Sequence, residues 1–94
     1  MTADTRVDCR PDALGWLCDV TTGADGRRHE VLVTQADLDD LAPGSSDPAP
    51  LVAASFDYLL EREPARAILP RFSLTDIETY FPDYRSVVRG RVIR

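Results

Sequence analysis

Two alternating stretches on either side of a glycine-rich turn restrict this chain's folding options more than any other feature. In Leu14-Gly15-Trp16-Leu17-Cys18-Asp19-Val20-Thr21, the side chains of Trp16, Cys18 and Val20 share one side of an extended backbone, because successive strand residues point to opposite faces. In Arg28-His29-Glu30-Val31-Leu32-Val33, the residues His29, Val31 and Val33 do the same. Thr22-Gly23-Ala24-Asp25-Gly26-Arg27 lies between them and supplies residues that accept positive φ. The pattern predicts an antiparallel hairpin. A two-stranded ribbon is marginal alone in water, so this one needs a third strand from a terminus or a cover of helices.

The remainder of the chain supplies helices. Thr34 is placed to cap a helix over Gln35 to Leu41, accepting from the backbone of Asp37, with Leu38 and Leu41 on its apolar side. Ala42-Pro43-Gly44 stops it. Asp47 and Pro48 start the longest helix, in which Leu51, Val52, Ser55, Phe56, Leu59 and Leu60 recur at spacings of three and four. Pro64 ends it. A helical turn over Ala65 to Leu69 precedes Pro70. Ser73 is read as the cap of another helix, with Asp76 as its capping-box partner and Leu74, Ile77 and Phe81 on one face. The tail is open to two readings: Tyr84, Val87 and Val88 fit a helical turn, and Gly90 to Ile93 could extend and pair with the hairpin. Residues 1–13 are polar and read as a loose arm, with Val7 and Cys9 available to tuck against the sheet. The expected fold is therefore α+β: one domain over residues 14–94, a hairpin under two main helices and one or two short ones. Its expected core is Trp16, Val20, Val31, Val33, Leu38, Leu41, Val52, Phe56, Leu59, Leu60, Ile68, Leu74, Ile77 and Phe81, each contributing roughly 1.5–3 kcal/mol on burial.

Composition excludes several function classes. The 94 residues carry a formal charge of −5 with no lysine. The charge is uneven: residues 1–61 hold 12 acids and four arginines, and residues 62–94 hold four acids and seven arginines. A net anion is repelled by polyphosphate. No run approaches the ~18 apolar residues of a membrane span, and the first six residues lack a signal pattern, so a cytoplasmic setting is expected. Cys9 and Cys18 are nine apart, which fits neither a zinc knuckle nor a redox pair. They read as two small buried or half-buried side chains; the geometry would allow a disulfide, which a reducing cytosol would not favour.

No catalytic constellation emerges, and no cofactor, metal or small-molecule ligand is expected. His29 is the sole histidine, with no nucleophile or orienting acid fixed beside it, and reads as a surface or rim residue. Asp37, Asp39 and Asp40 lack the glycine of a calcium loop. Gly23-Ala24-Asp25-Gly26 joins two strands, where a phosphate cradle would join a strand to a helix. Arg62 to Arg89 can be drawn as a helix-turn-helix DNA reader, but its reading helix carries Asp76 and Glu78 and no base-reading side chain. More promising are Phe72, Tyr80, Phe81 and Tyr84, interleaved with Arg71 and Arg85, since aromatic and arginine side chains are enriched at interface hot spots. The candidate contact residues are Arg71, Tyr80, Tyr84, Arg85 and Arg89.

The run Leu59-Leu60-Glu61-Arg62-Glu63-Pro64, with Ile68-Leu69, Phe72-Ser73-Leu74, Ile77 and Tyr80-Phe81-Pro82-Asp83-Tyr84, resembles the C-terminal half of a group of small uncharacterised bacterial proteins, many of them actinobacterial. The resemblance spans roughly residues 30–85. It implies a bacterial, cytoplasmic accessory domain and carries over no catalytic residue. The function expected is noncatalytic binding of another protein or of a second copy, with a DNA-associated regulator as the alternative.

Overall fold

The structure is a computed structural model that describes residues 5–22 and 26–92. Four strands, β1 (Arg6–Asp12), β2 (Gly15–Thr22), β3 (Arg27–Thr34) and β4 (Arg71–Ser73), form one sheet in the order β1-β2-β3-β4. Helices α1 (Gln35–Leu41), α2 (Ala49–Leu60), α3 (Asp76–Tyr80) and α4 (Tyr84–Val92) complete an α+β fold, with a 3₁₀ turn over Ala65–Ala67.

The predicted hairpin is β2–β3, with Cys18 opposite Val31 and Val20 opposite His29. Its expected turn falls largely on residues 23–25, outside the described residues. The third strand comes from the N-terminus. Residues 6–12, read as part of a loose arm, pair antiparallel with β2 along their whole length. Within that pairing Cys9 sits directly opposite Cys18, and the two form a disulfide. Of the two readings the sequence leaves open, the structure has the bonded one, against the expectation of unbonded side chains. The register explains it: directly opposed residues of an antiparallel pair bring their Cβ atoms within bonding reach of one disulfide.

Gly15 opens β2 because nothing larger fits. Its φ is +152°, and a Cβ there would lie 2.3 Å from the Val33 carbonyl oxygen. The cap of α1 forms as predicted: Thr34 Oγ1 accepts from the Asp37 N–H at 3.1 Å, and Asp37 Oδ2 accepts from the Thr34 N–H at 3.4 Å. At the start of α2, Asp47 Oδ1 accepts from the Ala49 N–H at 3.0 Å.

β4 stands where the sequence predicts no strand. It adds parallel to β3, with Val31 opposite Phe72. The Glu30 N–H donates to the Pro70 carbonyl at 2.8 Å, and the Leu74 N–H to the Leu32 carbonyl at 2.9 Å. Ser73 is therefore strand and not helix cap. Its backbone N–H donates to Asp76 Oδ2 at 3.1 Å, which is one half of the capping box that the sequence suggests. The tail resolves as helix through Val92.

α2 is covered on two sides. Phe56 faces the sheet, 5.3 Å between ring centroids from His29 and 6.1 Å from Phe72. Tyr58 faces the C-terminal helical segment, edge-on to Phe81 at 6.0 Å and to Tyr84 at 5.4 Å. The Tyr58 hydroxyl donates to Asp83, and the Arg62 guanidinium lies 3.6 Å from the Tyr58 ring centroid. The hydroxyls of Ser55 and Tyr84 share a buried 2.7 Å hydrogen bond. Arg91 clamps Glu61 through two hydrogen bonds of 2.8 and 2.7 Å, tying α4 to the end of α2. These bonds hold the Glu61 carboxyl below the usual carboxylate range. The predicted core is buried apart from Trp16, Leu60 and Phe81, which are half-buried against it. Cys18, Leu51, Tyr58, Tyr84 and Val88 join it. No described helix is long and apolar enough to cross a membrane.

Candidate interaction surface

Pro64 stops helical geometry after α2, and its ψ of 155° turns the chain into the 3₁₀ turn and on towards β4. This detour leaves a gap between the end of α2 and α3. The gap is a groove of about 440 Å³. Leu59, Ile68, Phe72, Ile77 and Phe81 form its apolar lining, Leu69 and Tyr80 project at its edge, and Glu63 and Asp76 bring carboxylates to it. Leu69 is 51% exposed and Tyr80 is 69% exposed. Leu14, in the turn between β1 and β2, is the other large apolar residue that is exposed among those described.

His29 fixes one wall of this groove. The histidine expected at the surface is buried, at 4% exposure. Its Nδ1 lies 2.9 Å from the Leu69 carbonyl, and its Nε2 lies 3.3 Å from Thr22 Oγ1. A carbonyl oxygen only accepts, so Nδ1 carries the proton, and in the neutral ring Nε2 accepts from the threonine hydroxyl. The ring thus anchors the backbone of Leu69 while that residue's side chain points outward. With both nitrogens engaged and the ring against Phe56, His29 acts as a structural pin.

The candidate contact residues do not gather into one patch. Tyr80 lies on the groove. Arg71 is exposed on β4, where its Nε pairs with Glu30 at 2.9 Å, beside a shallow depression on the uncovered sheet face that includes Leu17 and Leu32. Tyr84 is fully buried and offers no contact surface. Arg85 is half-buried, ion-paired with Asp40 and, at 2.6 Å, with Glu78. Arg89 is exposed on α4, outside the groove lining. Sequence reasoning missed Glu63, Leu69 and Asp76 as groove residues. A sequence signal existed for the first two, since the Glu63-Pro64 and Leu69-Pro70 steps bracket a segment that cannot continue a helix.

Burial pushes the Tyr58 phenol up to about 12, helped by its hydrogen bond to Asp83. Burial raises that of Tyr84 further. Both hydroxyls are committed inside the fold. No three His, Cys, Asp or Glu side chains gather as a metal site among the described residues. Comparison with protein-family models, curated proteins and solved structures finds no match to this chain.

Proposed function

We propose that this is a noncatalytic protein-binding domain whose contact surface is the groove between the end of α2 and α3. One observation carries the reading: two of the three large apolar side chains exposed among the described residues, Leu69 and Tyr80, stand at the edge of one apolar groove. A single exposed leucine is ordinary, whereas apolar side chains grouped around a concave surface mark an interaction site. Tyrosine at such an edge supplies a large contact area at low entropy cost. The DNA-associated alternative draws less support. Arg85 and Arg91 are engaged in ion pairs within the molecule, and the net charge opposes phosphate.

A photo-crosslinking amino acid placed at Tyr80, with the same group at Leu14 as a control, tests the proposal in a lysate of the source cells. A discrete protein adduct from position 80 and none from position 14 is expected. Equal labelling from both positions would contradict the assignment.

A further inference from the structure

Resting on that reading, we infer that the partner presents a basic, apolar segment: bulky hydrophobic side chains for the groove lining, flanked by Lys or Arg. Among the described residues, the charged ones that line the groove are Glu63 and Asp76, both acidic. Among the described residues the Glu63 carboxylate has no hydrogen bond or ion pair, so its charge remains available. Asp76 commits one oxygen to the Ser73 N–H. A cation docking here meets two carboxylates and no guanidinium in the groove lining.

The net charge of −5 on each copy weighs against a second copy as occupant, although residues 62–94 carry a surplus of arginine. The groove edge argues for a chain segment over a compact cation, because Leu69 and Tyr80 extend the apolar surface outward from the groove. Charge here sets the choice of partner, and the apolar lining supplies most of the affinity.

Selection of phage-displayed random peptides on the immobilised full chain tests this, followed by affinity measurement with one selected synthetic peptide. Enriched peptides are expected to combine bulky apolar residues with Lys or Arg. Glu63→Arg is expected to weaken the synthetic peptide about tenfold, Glu63→Gln less, and added salt to weaken it further. Thermal unfolding of each variant checks that it folds, and Glu63→Gln keeps the test open if the arginine variant does not. Apolar peptides that are neutral or acidic, with affinity unchanged by either Glu63 variant, would overturn the basic-partner inference and leave the groove reading standing. Peptides insensitive to Leu69→Ser/Tyr80→Ser, or no enrichment at all, would overturn both. A dimer seen by light scattering and dissolved by Leu69→Ser/Tyr80→Ser would assign the groove to a second copy instead.

Discussion

Four residues show how single positions hold this fold. His29 links β3 to Leu69, forty positions away, and fills space against Phe56. Its replacement by alanine leaves a cavity and an unpartnered carbonyl, at a cost of about 2–4 kcal/mol. Urea unfolding should show it; a loss below about 0.5 kcal/mol would remove the histidine from its structural role. Gly15 is constrained from the other side, since a backbone oxygen stands 2.3 Å from where a Cβ would be. Gly15→Ala should therefore cost at least about 2 kcal/mol, read by the same method. Tyr58 and Tyr84 set an alkaline limit. A phenol raised on folding stays protonated in the native state while the unfolded chain ionises near its ordinary value of about 10. Stability is then intact below that value and falls as pH rises from about 10 towards the native value of about 12 for Tyr58. Tyr58→Phe should flatten this decline. A decline of unchanged slope in that variant would show that its phenol does not contribute.

At the scale of elements, β1 depends on its neighbour. It is an edge strand, held by pairing to β2 and by the Cys9–Cys18 bond. Closing so short a loop is worth about 2–3 kcal/mol in the chain-entropy account. Reduction should lower stability by that amount and speed amide exchange in β1 before β3. Two free thiols in untreated protein, or β1 exchange unaffected by reductant, would contradict the bond. The disulfide and the cytoplasmic expectation pull apart, because such bonds persist in oxidising compartments and are reduced in most cytosols. The same scale explains what could be read from the chain. The hairpin, the Thr34 cap and the limits of α2 are written in local periodicity, capping residues and prolines, and all three appear. β4 is three residues long and gains its identity from β3, so no local pattern announces it. A single apolar stripe on α2 omits Tyr58, because the helix has a second partner in the C-terminal segment. His29 looks solvent-facing beside Arg28 and Glu30 until Thr22 and Leu69 close over its nitrogens. Of the groove, the sequence shows the aromatic Tyr80 and leaves Glu63 and Asp76 as ordinary surface acids.

At the scale of the whole molecule, helices cover one face of the sheet, and the C-terminal third divides its basic and aromatic residues between structure and surface. Tyr84, Arg85 and Arg91 are spent on internal contacts. What reaches outward is Arg71, Arg89 and the Leu69–Tyr80 edge above an acidic, apolar groove. If Leu69 and Tyr80 serve contact and not folding, the doubly substituted Leu69→Ser/Tyr80→Ser protein should keep its stability within about 0.5 kcal/mol. The most direct measurement is therefore partner capture by wild-type and doubly substituted protein, set beside their urea unfolding curves. Matching unfolding curves are expected, with capture lost in the variant; capture retained by a stably folded variant would show that the groove edge is not the contact surface.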